Sequence, residues 1–430
     1  MEKVLILGSD FGTYELVREA QKMGFYVIAT DLMVTSPTKE AADESWRIST
    51  NDLDTLERKC LENNVKAVLF GANDFNGECT RLLCNRLGLP FFCMNDRGWN
   101  ISRNKSEFKK VCRKVGARVA EDYHVTDDLL KADLDRIVYP VVVKPVDQAG
   151  NRGMSYCSNE DELVDAFKKA RQWSRNETII CERQLHGTEW VVNYVMNDGE
   201  ARLLYYAKEY HQPGEPANLY SMITTTSAKL KLWNDEMNEK VIDVFRESGF
   251  ENGVAWVEAM LDEDGHFYLL EPGYRFSSET LYALNERIGG FNSNRWYIEN
   301  ALGIRHGNNQ LPLNLNRAEG KCLASYHLFT HKEGVIEKIE GLDEIASLPD
   351  VVLDLPKGVG MSVAGRACMG LVKFYGETIE DIVERLRIVN EKFWIRGKDG
   401  ENLFIKFTDY DSLIHDYHFG ISEFASSEEI

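Results

Sequence analysis

The sequence predicts a mixed α/β and α+β protein built from three domains. Residues 1–95 alternate apolar strands with amphipathic helices, which is typical of a parallel sheet covered by helices. Residues 253–275 carry apolar and aromatic runs on both sides of an Asp-Gly turn, which predicts an antiparallel hairpin. From about residue 309, short strands, a capped helix and a second Asp-Gly turn predict a small α+β domain. We therefore expect domains at 1–95, 96–308 and 309–430, with a lid subdomain at about 116–190.

Length, charge and cysteine content limit the class of protein. A chain of 430 residues is long enough for several domains and a large core. The net charge of −19 argues against binding to nucleic acid or to anionic membranes, because both need basic surfaces. The 9 cysteines include no CxxC pair or zinc-site spacing, which favours reduced thiols in the cytoplasm. The N-terminus is typical of a buried strand rather than a signal peptide, and no apolar run reaches membrane-spanning length.

The N-terminal domain is expected to place ligands at the carboxyl ends of its strands. The predicted strands lie near residues 4–9, 25–31, 65–71 and 90–94. Asp74 and Glu78 follow the third strand and are candidates for facing a substrate, although solvated or capping roles are the alternative. A nicotinamide-binding domain with Asp31 on the ribose is a further alternative, but the glycines after the first strand have the wrong number and spacing.

The hairpin at residues 253–275 predicts a cation site. With Asp264 and Gly265 as its two turn residues, Glu258 stands directly opposite Glu271. Like charges facing each other across two strands are destabilising. At roughly 5 Å and an effective dielectric constant of about 20, the repulsion is on the order of 3 kcal/mol. A cation such as Mg²⁺, which takes carboxylate and phosphate oxygens, would remove this repulsion.

The same register has two further consequences. It places Met260 beside Leu269, on the face that carries the two glutamates. Arg275 follows one turn later and could reach the same anionic ligand. The alternative is an exposed hairpin with two solvated glutamates, because a change of one residue in the turn would break the facing.

Two lysines precede this hairpin in positions that suggest an anion. Lys105 lies in the first turn of a helix predicted at 102–115, where a cation is mildly unfavourable unless an anion is close. A short strand at 141–143 leads to Lys144 and then to a loop whose glycines would let backbone N–H groups approach phosphate oxygens. This loop includes Gly150, Arg152, Gly153 and Ser155. A flexible hairpin turn is the alternative.

A second pair of carboxylates flanks a connector between two predicted strands. Glu182 ends the strand at 178–181, and Glu189 begins the next one. The connector between them could offer backbone groups to an adenine edge and a carboxylate to ribose hydroxyls. A stretch at about 208–228 contains Gly and Pro and is expected to be mobile, and His211 within it is expected to be structural or solvated.

In chain order, these features resemble the ATP-grasp superfamily. The resemblance is carried by a lysine in a helix, VVVKP, a glycine loop, CERQLHGTE, and paired carboxylates that end in EPGYR. It covers residues 1 to about 305, and the C-terminal part is similar to biotin carboxylase-like members. It implies an ATP-grasp fold with an N-terminal Rossmann-like domain and a C-terminal α+β domain.

The resemblance also implies roles for individual residues around ATP. Lys105 and Lys144 resemble the lysines that contact ATP phosphates and adenine, and the loop at 150–155 resembles the phosphate-covering loop. The other implied ATP contacts are Glu182 and the backbone from Arg183 to Leu185 at the adenine, Glu189 at the ribose, and Met260 packed on the adenine.

Glu258 and Glu271 match the Mg²⁺-binding carboxylates of the superfamily, and Arg275 matches the arginine at the γ-phosphate and acyl phosphate. The usual pattern at the second carboxylate is E-x-N-x-R. Here the asparagine position is Gly273, which puts the occupancy of a second metal position in doubt.

The function implied is an ATP- and Mg²⁺-dependent ligase, with Mn²⁺ as a substitute. It would join a carboxylate, such as an amino acid or a similar small acid, to an amine through an acyl phosphate, releasing ADP and phosphate. Lys144 and Arg275 are the expected catalytic residues, and Arg275, Asp74 and His211 are the candidate substrate contacts. A bicarbonate-activating enzyme and a non-catalytic ATP-binding sensor are the alternatives, the latter supported by Gly273. The expected partners are small molecules and, from the superfamily, a second copy of the chain.

Overall fold

The computed structural model describes residues 1–428 except 94, 127, 147–152, 175–177, 215–219, 226–228, 308–309, 313–320 and 366. These residues form a four-stranded parallel sheet, a four-stranded antiparallel sheet, an eight-stranded sheet and two short strand pairs. None of the helices in the described part of the chain is both long enough and apolar enough to cross a membrane.

The N-terminal sheet is parallel and has the strand order β3-β2-β1-β4. Its elements are β1 (Lys3–Leu7), α1 (Thr13–Lys22), β2 (Tyr26–Thr30), α2 (Pro37–Ala41), β3 (Glu44–Trp46), α3 (Leu53–Asn63), β4 (Val65–Phe70) and α4 (Asp74–Leu87). The strands are buried almost throughout, as expected for a parallel sheet covered on both faces. Because β2 and β4 lie on opposite sides of β1, the loops after β1 and β4 meet at the point where the strand order reverses, which is where such sheets bind ligands.

The predicted alternation of strands and helices is confirmed, but one predicted strand is wrong. Phe91 lies outside any strand, and its ring packs 6.0 Å from that of Phe70. Phe92 likewise packs 5.3 Å from Tyr274, so this apolar run fills the core as an irregular segment. The fourth strand is instead β3, whose three residues are too few to give a clear sequence pattern.

The helix predicted at 102–115 is two helices, α5 (Asp96–Arg103) and α6 (Lys105–Lys114). Asn104 separates them, and its side-chain oxygen accepts hydrogen bonds from the N–H groups of Ser106 and Glu107 at 3.0 and 3.1 Å. This N-cap makes Lys105 the first residue of α6.

The small antiparallel sheet has the order β5-β8-β6-β7. It is built from β5 (Asp122–Tyr123), α7 (Lys131–Leu134), β6 (Val141–Pro145), β7 (Ser155–Cys157), α8 (Glu160–Trp173) and β8 (Ile179–Arg183). Val141 and Val143 of β6 pack with Leu163 and Phe167 of α8 in a core of their own. The helix predicted here is confirmed, with Asn159 as its N-cap.

The eight-stranded sheet has the order β13-β12-β9-β10-β11-β14-β19-β17 and runs through the middle of the molecule. Its first part comprises β9 (Gly187–Asn197), β10 (Glu200–His211), β11 (Tyr220–Thr225), α9 (Leu230–Trp233), a π-helical turn (Asn234–Asn238), α10 (Glu239–Ser248), β12 (Gly253–Asp262), β13 (Phe267–Gly273), α11 (Tyr282–Gly289) and α12 (Ser293–Ala301).

The stretch at 208–228 that was expected to be mobile contains two paired strands in its described residues, and its mobility stays a prediction. Residues 208–211 end β10, and β11 pairs with them, with Glu209 opposite Ile223. The glycine and proline signals belong to the turn that follows β10, where Gly214 has φ +87°.

The C-terminal part contributes three strands to the same sheet, and β11 pairs with β14. Its elements are β14 (Cys322–Phe329), β15 (Gly334–Val335), β16 (Lys338–Glu340), α13 (Leu342–Ala346), β17 (Val351–Asp354), β18 (Ser362–Val363), β19 (Cys368–Gly376), α14 (Ile379–Lys392), β20 (Trp394–Arg396) and α15 (Tyr410–Glu428). The predicted capping box of α14 is present at Thr378 and Asp381. The α15 helix was not predicted. The predicted second Asp-Gly turn joins β20 to residues 401–403, with Arg396 opposite Asn402 in an antiparallel bridge, and β20 also pairs with β16. The domain boundary at 309 stays a prediction.

Candidate active site

The two carboxylates of the hairpin face each other, as predicted, but the turn and the strand register differ from the prediction. Glu258 pairs with Glu271 across β12 and β13. The turn has three residues instead of two, since the N–H of Asp262 donates to the carbonyl of His266 at 3.0 Å. Met260 therefore pairs with Tyr268, and its predicted pairing with Leu269 is wrong. The register shifts again between Glu258 and Ala259, and this bulge restores the facing of the glutamates.

A lysine relieves the repulsion between these glutamates. The Lys105 ammonium forms an ion pair with the Glu271 carboxylate. Burial acts to raise the pKa of Glu271, but Lys105 holds it below its usual value. Burial, followed by the charges of Glu271 and Glu189, raises the pKa of Glu258 well above its usual value. The pKa values of the two carboxyl groups are thus shifted in opposite directions, and the pair offers oxygen ligands of the kind that Mg²⁺ prefers.

A buried ion-pair network fixes the second lysine. The Glu182 carboxylate lies between the ammonium groups of Lys144 and Lys109 and is almost fully buried. Burial acts to raise the pKa of Glu182, but the two lysines lower this pKa to about 2. Lys109 also pairs with Asp122 at 2.7 Å. The Glu182 side chain therefore orients Lys144, and its contact with adenine stays a prediction.

Lys109 was missed by the sequence analysis. It lies four residues after Lys105, and residues four apart share one face of a helix. That spacing was the available signal for a second lysine beside the site. Burial acts to lower the pKa of Lys105, but the charges of Glu271, Glu258 and Glu182 raise it, which shows that the two groups of charges are close together.

The backbone N–H groups of the connector from Arg183 to Leu185 differ in their hydrogen bonding, and the contact of this connector with adenine stays a prediction. The N–H groups of Arg183 and Gln184 donate to backbone carbonyls at 2.9 and 3.0 Å. The N–H of Leu185 donates to none of the described residues. The Arg183 side chain donates a hydrogen bond to the Asp262 carboxylate at 3.0 Å and so ties the connector to the end of β12. Met260 is half-buried and lies opposite Glu189 in the neighbouring strand.

Three ionisable residues at the ends of β9 and β10 form the next part of the site. His211 Nε2 lies 3.5 Å from a Glu189 carboxylate oxygen. Burial and the Glu189 charge raise the pKa of Glu209 well above its usual value. Glu209 was missed as a site residue, although it precedes His211 by two positions and so shares its face of the strand. The structure thus brings His211 beside the predicted ribose ligand.

Only part of the glycine loop can be described. Gly150 and Arg152 lie outside the described residues. Gly153 has φ +76°, and an added Cβ would meet Trp173 at 2.9 Å. Ser155 pairs with Val143 of β6, so this end of the loop is anchored next to the strand that carries Lys144.

Arg275 joins the hairpin to the N-terminal sheet. Its Nε and Nη2 donate to the two carboxylate oxygens of Asp74 at 2.6 and 3.0 Å. Its guanidinium also lies over the ring of Trp256, 5.1 Å from the centroid. Asp74 begins α4, directly after β4, so this ion pair lies at the point where the strand order reverses. Glu78 instead pairs with Arg81 at 3.3 Å.

The sequence comparisons agree with this geometry. The family model described as "Carbamoyl-phosphate synthase L chain, ATP binding domain" matches residues 104–307. That segment contains both lysines, the connector and the carboxylate hairpin. The chain has the ATP-grasp fold. In this ATP-grasp fold, residues 104–307 are the part that is similar to the family's ATP-binding domain.

The relatives of this ATP-grasp chain are distant. The 2-oxoglutarate carboxylase small subunit of Hydrogenobacter thermophilus is 22% identical over 75% of this chain and 71% of its own length. A formate-dependent phosphoribosylglycinamide formyltransferase of Prochlorococcus marinus is 27% identical over 41% of this chain, and the match spans only 46% of that protein.

Solved structures show the same ATP-grasp fold over nearly the whole chain. Biotin carboxylase of Campylobacter jejuni, solved as a β,γ-ATP complex, has a TM-score of 0.75 at 17% identity, covering 98% of this chain and 96% of that one. An L-amino acid ligase from Bacillus licheniformis has a TM-score of 0.71 at 19% identity, covering 92% and 98%.

Proposed function

We propose that this ATP-grasp protein is a ligase that uses ATP and Mg²⁺, or Mn²⁺ in its place, to join a small carboxylate to an amine. The carboxylate is an amino acid or a similar small acid. Under this proposal the reaction passes through an acyl phosphate and releases ADP and phosphate. The protein would act in the cytoplasm as a homodimer, by analogy with the carboxylase domain dimer of H. thermophilus.

The observation that carries the proposal is the opposed pair Glu258 and Glu271 with Lys105 between the charges. Two facing carboxyl groups are stable only where something compensates their charge, and an ammonium group does so here. Carboxylate oxygens fit a divalent cation, and a cation held there would neutralise phosphate charge and align the transferred group. Lys105 would then be released from Glu271 and could turn to a phosphate oxygen.

The chain's cationic side chains would stabilise the negative charge that develops during transfer of the γ-phosphoryl group. Lys144, held by Glu182, and Lys105 would stabilise the phosphate oxygens. A carboxylate oxygen of the acid would bond to the γ-phosphorus as the bond to the ADP oxygen breaks. The amine nitrogen would then bond to the acyl carbon, phosphate would leave, and the nitrogen would lose a proton.

The substrates fit the place where Arg275 meets the N-terminal sheet. Arg275 is suited to the acid and its phosphorylated form, since a guanidinium binds planar anions well. Asp74 lies beside it after β4, and Asp10 follows β1 across the reversal of strand order. Asn76 donates to Asp10 at 2.7 Å. Acidic side chains at this edge are suited to the amine, and His211 is proposed as a more distant contact near Glu189.

A second candidate function is activation of bicarbonate. It is supported by the likeness to a biotin carboxylase domain solved with MgADP and bicarbonate, at a TM-score of 0.73 and 17% identity. This candidate predicts ADP formation that depends on bicarbonate and needs no amine.

A panel of amino acids and small acids, each combined with amines or bicarbonate, tests both candidates. ADP formation, phosphate release and product mass are measured together. We expect ADP, phosphate and a condensed product for at least one acid–amine pair. Formation of AMP and pyrophosphate would rule out the proposed mechanism. ATP binding without turnover on any member of the panel would favour a non-catalytic sensor.

Glu271→Gln tests the cation site itself. We expect this variant to lose at least about 100-fold in turnover, because one cation ligand becomes a neutral amide, while its melting temperature stays close to that of the wild type. Glu263→Gln, at an exposed position in the turn of the same hairpin, is the matched control and should keep full activity. Full activity of Glu271→Gln would show that its assignment is wrong.

A further inference from the structure

Next to the proposed cation site, on the same two strands, lies a cross-strand pair of residues whose side chains carry no oxygen. Trp256 pairs with Gly273, two residues along each strand from Glu258 and Glu271. Because alternate residues of a strand share a face, these four positions form one patch on the sheet. The patch therefore presents two carboxyl groups beside an indole and a glycine. No group of three or more His, Cys, Asp and Glu side chains in the described part of the chain is arranged to hold a metal ion.

The indole of Trp256 occupies the space that a side chain at position 273 would need. A Cβ added to Gly273 would fall within contact distance of three atoms of the indole, Cε2, Nε1 and Cζ2. Trp256 is only 6% exposed. No oxygen-bearing side chain can therefore stand at position 273 while Trp256 keeps this position.

The indole also has the wrong chemistry for a cation ligand. Its nitrogen carries a hydrogen and acts only as a donor. Within the described residues, this buried Nε1 has no hydrogen-bond partner. The guanidinium of Arg275 lies over the ring at 5.1 Å, held there by its two hydrogen bonds to Asp74. A fixed positive charge thus stacks on the indole next to the carboxyl pair.

We infer that this site holds a single divalent cation, on Glu258 and Glu271, and that Trp256 closes the adjacent position to a second cation. The Arg275–Trp256 stack places a permanent positive charge where a second cation would otherwise sit. This inference rests on the proposed nucleotide- and cation-binding function of the same site. It adds that Trp256 and Gly273 set the number of cations that the protein uses.

Counting bound Mn²⁺ tests the inference without relying on activity. The full-length protein is loaded with a non-hydrolysable β,γ-imido analogue of ATP and titrated with Mn²⁺, and bound ions are counted by electron paramagnetic resonance. We expect one tightly bound Mn²⁺ per nucleotide-loaded chain. Two ions of similar affinity would overturn the inference while leaving the proposed function in place. Failure to bind the nucleotide at all would overturn the proposed function, and the inference with it.

A pair of substitutions gives the converse test. The double variant Trp256→Ala/Gly273→Asn removes the indole and supplies an amide oxygen, so affinity for a second Mn²⁺ should rise at least about tenfold. Trp256→Ala alone opens the space without adding a ligand and should still bind one ion.

Trp46→Ala is the control for loss of packing, because it removes an equally buried indole from β3. It should also bind one ion. Two results would overturn the assignment of Trp256 and Gly273. One is a second tightly bound ion in Trp256→Ala alone, and the other is a folded double variant that binds no second ion. If the double variant does not fold, the wild-type count decides.

Discussion

His327 shows how strongly the interior of this protein acts on one ionisable side chain. It lies on β14, is 2% exposed, and its ring packs near that of Phe329 at 6.0 Å. Burial lowers the pKa of His327 from 6.5 to about 3, because the imidazolium form would lose its hydration. The folded protein therefore keeps this imidazole neutral under conditions in which the unfolded chain protonates it.

This difference predicts a pH-dependent free energy of unfolding. Between pH about 6 and about 4, the unfolded chain binds a proton at this residue and the folded chain does not. The free energy of unfolding therefore falls by about 1.4 kcal/mol for each unit by which the pH is lowered. In His327→Phe, chemical denaturation at several pH values should show a slope smaller by this amount. His415→Gln, at an exposed position of α15, should keep the wild-type slope. An unchanged slope in His327→Phe would show that the imidazole is not held neutral.

At the same scale, the sequence identifies the candidate site residues better than their partners. The facing of Glu258 and Glu271 follows from a period of two along the strands, and it survives because the extra residue in the turn is offset by the bulge. The position of Lys105 at the start of a helix follows from the capping residue before it. The partners of these residues come from distant parts of the chain. Glu182 binds two lysines and Trp256 covers Gly273, and neither contact has a local signal.

At the scale of elements, Glu182 ties three parts of the site together. It extends from β8 to Lys109 on α6 and to Lys144 on β6. A buried carboxylate between two ammonium groups keeps those elements in one arrangement, because any displacement would leave a buried charge without its partner. The lysine that we propose for phosphate binding is thus held in place before the nucleotide arrives.

Glu182→Gln should show the cost of losing this charge. The amide has the same shape, but it leaves Lys144 without its buried counter-charge and Lys109 with Asp122 alone. We expect the free energy of unfolding to fall by about 3 kcal/mol, as measured by urea denaturation, together with weaker ATP binding. Glu121→Gln, at an exposed position near the same connector, should change neither. Wild-type stability in Glu182→Gln would contradict the proposed role of the network.

The elements with strong periodicity or caps could be predicted, and the short or non-local ones could not. The helices that begin at Asn159 and Thr378 carry capping residues that fix their starts. The β3 strand has three residues, and its pairing with β2 is decided by tertiary packing. The run around Phe91 has the composition of a strand, but its rings are drawn into the core.

At the scale of the whole molecule, a buried lysine links the first and last parts of the chain. Lys373 of β19 is fully buried and forms an ion pair with Glu15 of α1. Asp354 of β17 lies 3.9 Å from the same ammonium group. It also accepts a hydrogen bond from the N–H of Gly12 at 3.4 Å. The N-terminal sheet is thereby fixed to the far end of the eight-stranded sheet.

A double-mutant cycle measures this link. Glu15→Gln and Lys373→Met should each lower the free energy of unfolding by about 3 kcal/mol. Glu15→Gln leaves the buried Lys373 with only the more distant Asp354, and Lys373→Met removes the counter-charge of Glu15. The double variant should lose less than the sum of the two, by at least about 1 kcal/mol. Lys338→Met, at an exposed position of β16, serves as the control and should be neutral. Strict additivity would show that Glu15 and Lys373 do not interact.

The pairing of β11 with β14 has a practical consequence for anyone who divides this protein. A fragment that stops at the predicted boundary near residue 308 would lose β14 and leave the backbone donors and acceptors of β11 open along the sheet. Unpaired edges of this kind recruit strands from other molecules. A fragment made to study residues 1–308 in isolation would therefore have to retain β14, or carry another strand that pairs with β11 in its place.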